Sequence, residues 1–172
     1  GAAGVQVGTP FALCTDSGLP AAIRRRLLEK ALAGQARVFT DRLASPTGYP
    51  FKVADLEGTL SDNTVYEGRQ RICNLGYLRD PYVRDDGTIG YRCAAEPVSA
   101  YVAKGGKVED TVGRKCICNA LLATADYAQL QPNGSREPGI VTTGDDLLNI
   151  GRFCSPGHLD YSAEDVIRKI IG

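Results

Sequence analysis

The residues best suited to chemistry lie at the start of the chain, where Val5-Gln6-Val7 runs into Gly8-Thr9. Their alternation predicts a β-strand over Gly4–Thr9 that ends at the Gly-Thr pair. A buried strand stopping there presents backbone N–H groups at its C-terminal end. Gly8 has no side chain to hold an anion off, and the Thr9 hydroxyl can donate to one. Such a turn can bind a phosphate, but a Gly-Thr pair after a β-run is more often an ordinary turn. The residues alone leave both readings open.

Six cysteines follow, at positions 14, 73, 93, 116, 118 and 154. An even count permits a disulfide framework, but that reading belongs to short secreted chains. With ample apolar residues for a core and no export signal, reduced and mostly buried thiols are the favoured expectation. The rival is a structural zinc held by Cys73, Cys93, Cys116 and Cys118. Two C-x₂-C knuckles are missing, and Cys116 and Cys118, two apart on an expected helix, would face different ways. No metal ligand is therefore assigned. His158, the only histidine, sits in the loop Ser155-Pro156-Gly157-His158 and is read as a surface or loop-packing residue. One loop histidine supports no Ser-His-Asp or Cys-His arrangement. Asp85-Asp86 and Asp145-Asp146 read as turn and helix-start residues.

The elements that must position these residues are short. Pro20 and Gly34 bracket a helix with Ile23, Leu27, Leu28, Ala31 and Leu32 inward and Arg24, Arg25 and Arg26 mostly in solvent. Ala36–Thr40 suits a short strand, and Asp41–Tyr66 reads as loop. The runs ICNLGYL and TIGYRC suggest a hairpin across Asp85-Asp86-Gly87, with Pro81 weakening the first strand. Helices are expected over Val98–Lys104 and over Lys115–Tyr127, the latter with Cys118, Leu121, Leu122 and Ala125 on one face. Thr143 with Asp146, and Ser162 with Asp165, resemble capping boxes. A final helix is expected to bury Ala163, Val166, Ile167, Ile170 and Ile171.

The stretch GAAGVQVGTPFALCTDSGL resembles the final barrel strand and phosphate loop of nitronate monooxygenases (2-nitropropane dioxygenases) and of related bacterial flavin enoyl reductases. The segments CNLGYLRDPYVRDDGTIGYRCAAEPVSAYVAKGG, DTVGRKCICNALLATADYAQ and EPGIVTTGDDL resemble the C-terminal extension of one branch of that family. Together they cover most of the chain, in the expected order. The resemblance implies an α/β fold. Residues 1–34 would supply the last strand, phosphate loop and helix of a flavin-binding (β/α)₈ barrel, and residues 35–172 a mixed, loop-rich α/β extension. In such barrels the loops after the last strands hold a phosphate. Gln6, Gly8 and Thr9 are thereby assigned to the FMN phosphate region, with Gln6 facing the barrel interior. No catalytic residue is assigned, because the family's active-site histidine and first phosphate-binding glycines lie upstream of Gly1.

The implied activity is FMN-dependent oxidation of nitronates or alkyl nitro compounds with oxygen, a monooxygenase or dioxygenase chemistry on a small-molecule substrate. The enzymatic alternative is a flavin enoyl reductase of lipid or polyketide pathways. The alternative of another class is a non-catalytic packing or assembly module. A chain without Met that opens directly on an apolar run reads as a fragment, inactive alone and requiring the remainder of the barrel, with a homo-oligomer as a further option. Lys plus Arg balance Asp plus Glu at 20 each, so neither nucleic acid nor an anionic membrane surface is an expected partner. No apolar run reaches membrane-span length. The expected location is the cytoplasm.

Overall fold

The computed structural model describes residues 3–155 and 157–172. Over these the chain is mixed α/β, with two short two-stranded antiparallel sheets and no closed barrel among the described residues. The expected strand over Gly4–Thr9 is not formed. Residues 4–8 belong to no strand, and Thr9–Ala12 is the short helix α1. A parallel barrel strand needs neighbours on both sides to satisfy its backbone. No described segment pairs with residues 4–8, and Val5 stands exposed.

Helix α2 spans Ala21–Leu32 and follows the expected punctuation, with Pro20 at the N-cap and Gly34 at φ +69 beyond the C-cap. Its Leu27 and Leu28 enter the main core with Leu147, Ile150, Phe153, Tyr161 and Val166. Leu32 lies outside the core and is exposed. Arg24 departs from the expectation too. It is buried because Asp160 meets its guanidinium at 2.7 Å, the partner that a charge needs on leaving water.

Strand β1 (Val38–Asp41) lies where a short strand was expected. It pairs with β2 (Phe51–Ala54) in the register Val38↔Ala54 to Asp41↔Phe51. β2 and the start of the short helix α3 (Asn63–Gly68) fall within the region read as loop. The surrounding Pro, Gly and Ser masked a strand of only four residues. A third segment joins β2 through the Val53↔Thr142 bridge and the bonds Ala54 N–H to Val141 O (2.9 Å) and Thr143 N–H to Lys52 O (3.3 Å). Ile140 and Val53 then share a second core with Ala44, Leu60, Ile117 and Ala120.

The second sheet is the hairpin β3 (Asp80–Val83) and β4 (Ile89–Arg92), turning through Asp85-Asp86-Gly87 with Gly87 at φ +80. Its first strand contains Pro81, and the run ICNLGYL is irregular. Arg84 N–H bonds to Thr88 O at 2.8 Å, so alternation makes Pro81↔Tyr91 a non-hydrogen-bonded pair. The proline nitrogen therefore points away from the ladder, and no bond is lost.

Helix α4 (Val98–Ala103) matches the expected Val98–Lys104 closely. Helix α5 (Ile117–Thr124) is shorter than expected, and it buries Ile117, Asn119 and Ala120. Leu121 is exposed, and Cys118, Leu122 and Ala125 are only partly covered. Gly144 rather than Thr143 caps the 3₁₀ helix Asp145–Phe153, so no capping box forms there. The Ser162–Asp165 box does form at helix α6 (Ala163–Ile171). α6 buries Val166 alone; Ile167, Ile170 and Ile171 stay exposed.

Candidate functional site

Gln6, Gly8 and Thr9 line a cleft of about 630 Å³ with Gly144, Asp145, Asp146, Arg152 and Ile170. Two distant segments are brought together here. The Thr9 hydroxyl accepts the Gly144 N–H at 2.8 Å, joining the start of α1 to the start of the 3₁₀ helix Asp145–Phe153. The contact is close because Gly144 has no side chain. A Cβ there would lie 3.2 Å from Thr9 Oγ1. Beneath, the buried Tyr161 hydroxyl donates to Pro10 O at 2.8 Å, and Thr15 N–H bonds to Tyr161 O at 2.8 Å. Burial pushes the Tyr161 phenol above its ordinary pKa, so it remains a neutral donor.

Gly8 caps α1 with φ −121 and ψ −63, a conformation open to other residues. A Cβ added there meets nothing within 4 Å. Neither the local backbone nor packing within the described chain requires glycine at this position. The space beside it belongs to the cleft. Gln6 is exposed on the same cleft, whereas Thr9 is buried.

The charges of the cleft compensate one another. Asp145 pairs with Lys52, and Arg152 holds Asp146 through two bonds of 2.7 and 2.8 Å. The hydrogen bond to Asp146 raises the Arg152 pKa further, and its guanidinium lies 4.5 Å from the centre of the Phe153 ring. Around the first turn of α1, Pro10 has no N–H and the Ala12 N–H is bonded to Gly8 O at 3.0 Å, so what this turn offers a bound anion is chiefly the Thr9 hydroxyl proton. Arg152 offers a guanidinium suited to oxyanions. A phosphate group here would have to share Arg152 with Asp146. The Asp145 and Asp146 carboxylates require that Lys52 and Arg152 stay in place to balance them.

Sequence reasoning missed Gly144, Arg152 and Lys52. TTGDDL signalled a helix start, but nothing in the linear order told that this helix start meets Thr9. His158 is exposed in a tight turn, its N–H bonded to Ser155 O at 2.9 Å. All six cysteines are free thiols. Cys14, Cys93 and Cys116 are buried, and Cys73, Cys118 and Cys154 are partly covered. Cys116 is the N-cap of α5 and not part of a helical face. Among the described residues no group of three or more His, Cys, Asp or Glu is arranged to hold a metal ion. No described helix is long and apolar enough to cross a membrane.

The chain matches no protein-family model, no curated protein and no solved structure with which it was compared.

Proposed function

We propose that this chain is the C-terminal part of an FMN-dependent oxidoreductase of the nitronate monooxygenase type, acting on nitronates or alkyl nitro compounds with oxygen. The observation that carries the reading is the bond between Thr9 and Gly144. It draws together two of the segments that resemble the family, GVQVGTPF and IVTTGDDL, onto one cleft with an open face at Gly8. Gln6, Gly8 and Thr9 are the residues that would hold the FMN phosphate. FMN supplies the redox chemistry when bound, and the protein binds and orients it. Lys52 and Arg152 offset the neighbouring carboxylates, and the Tyr161 hydroxyl fixes the turn on which the phosphate would rest.

In this reading residues 4–8 take a barrel-strand conformation only beside the rest of the barrel. The exposed Val5 and Ile170, which border the cleft, would be covered there. The isolated chain is then expected to show no nitronate oxidation, because a positioned base is a large part of such a rate. Oxygen consumption with a nitronate substrate measures this for the chain alone and for the chain preceded by its upstream coding sequence. Turnover in the longer protein only is the predicted result. Substantial turnover by the chain alone, or none by a longer protein that binds flavin, contradicts the proposal.

A further inference from the structure

A second cavity, of about 420 Å³, lies between the end of helix α3 and the turn that follows Leu130. It shares no lining residue with the cleft at Gly8, and its volume falls in the range of small-ligand sites, about 300–1,000 Å³. Residues 68–72 form one wall. The other is a closed turn in which Leu130 bridges Arg136 and the Gln131 N–H bonds to Ser135 O at 2.8 Å. Asn133 Nδ2 reaches Gln70 Oε1 at 3.4 Å, so the two walls meet.

Arg69 and Glu137, paired at 3.1 Å, both line the cavity, with side chains only 3% and 1% exposed. Arg69 is held firmly. Its Nη1 donates to Glu137, its Nη2 donates to Arg114 O at 3.2 Å, and its guanidinium lies 5.5 Å from the centre of the Tyr66 ring. Its buried Nε has no acceptor among the described residues. A buried donor left unpaired is costly, and a charged one more so. The charge around the cavity points the same way. Arg136 lines it, is exposed, and makes no ion pair among the described residues. Arg71 donates to the Tyr66 hydroxyl at 3.1 Å and to Thr111 O at 2.9 Å, and Arg114 donates to the carbonyls of Asp110, Leu43 and Ser45. Lys115 is balanced by Asp41 at 2.6 Å. Within ion-pair distance, then, Glu137 is the one carboxylate among the described residues that offsets these four arginines. Burial, opposed by Arg69, lifts its carboxyl to about 7, so its own negative charge is partial at neutral pH.

We infer that this cavity binds a small organic carboxylate. Arg136 and Arg69 donate to the carboxylate, and the amides of Gln70, Gln131 and Asn133 meet the polar remainder of the molecule. Guanidinium groups match carboxylates in both charge and shape. The excess of arginine over carboxylate favours an anion over a cation or a neutral molecule. The inference is independent of the flavin reading, which concerns the other cleft.

The test titrates the whole chain at pH 7 with succinate, using succinamide as the neutral analogue and inorganic phosphate as the competing anion. Calorimetry should show one succinate bound per chain. Amide chemical shifts should move in residues 64–72 and 131–138, the segments that line the cavity. Succinamide and phosphate should each bind at least about tenfold more weakly, since neither offers a carboxylate to the arginines. The Arg136 side chain makes no hydrogen bond among the described residues, so Arg136→Gln should keep the unfolding curve of the parent. It should weaken succinate by about tenfold, the loss of one charge-assisted hydrogen bond. Arg84→Gln, an exposed cation outside this cavity, should leave the affinity unchanged. No saturable binding, succinamide or phosphate binding as tightly as succinate, shifts centred elsewhere, or unchanged affinity in a folded Arg136→Gln protein would each overturn the inference.

Discussion

Thr9 and Glu137 are two buried polar residues with opposite energetic standing. Thr9 accepts the Gly144 N–H at 2.8 Å, so Thr9→Val leaves that donor without its partner. A loss of about 1–2 kcal/mol is expected in thermal or denaturant unfolding of the chain, the cost of an unmade, partly buried hydrogen bond. Glu137 is buried with Arg69 at 3.1 Å, yet burial outweighs the attraction and raises its carboxyl to about 7. The folded state therefore holds this proton more tightly than the unfolded chain does. Its contribution is fully present below the ordinary carboxylate pKa and is lost as pH rises through about 7. Across that window the Glu137 contribution falls by roughly 3 kcal/mol, and Glu137→Gln should flatten this part of the stability–pH curve. Unfolding free energies of the two proteins from pH 4 to 8 check it; parallel curves would contradict it. Gln6, Gly8 and Thr9 were legible as a group because glycine and threonine after a β-like run are a local signal. Glu137 was not, since burial depends on a fold that brings Arg69 to it across the chain.

At the level of elements, α2 depends on one buried cation. Arg24 is 8% exposed in its side chain and meets Asp160 at 2.7 Å, whereas the Arg25 side chain is 59% exposed. Asp160→Ala strands the buried guanidinium and should destabilise the protein by about 2–3 kcal/mol, allowing for the partial exposure of Asp160. Arg25→Ala should cost under about 1 kcal/mol. Equal losses in chemical denaturation would contradict this account of the helix. The limits of α2 were readable from Pro20 and Gly34, which act on the backbone locally. The buried faces of α5 and α6 were not, because the apolar residues there exceed what one face can bury. Ile167, Ile170 and Ile171 read as core and stand exposed. β2 escaped notice for the complementary reason. A strand of four residues flanked by turn-formers carries almost no periodicity, and its place comes from pairing with β1 and with residues 141–143.

For the molecule as a whole, the mixed α/β class was legible from the alternation of short helical and strand-like runs, while the strand at Gly4–Thr9 was not realised. That strand requires partners that the described residues do not supply. The proposal therefore makes the cleft at Gly8 the shared boundary between this chain and an upstream barrel, and Gly8 tests it most directly. Within the chain, Gly8 has an ordinary φ and open space where a Cβ would stand. Gly8→Val should leave the melting curve of the isolated chain unchanged to within about 0.5 kcal/mol, as a substitution in open surface space does. In the longer, flavin-binding protein the added side chain should occupy the space needed by the phosphate. A flavin fluorescence titration of Gly8→Val against wild type, run beside its melting curve, reads both effects. The account predicts FMN affinity reduced by at least tenfold with the fold intact; normal FMN affinity in a folded Gly8→Val protein would contradict it.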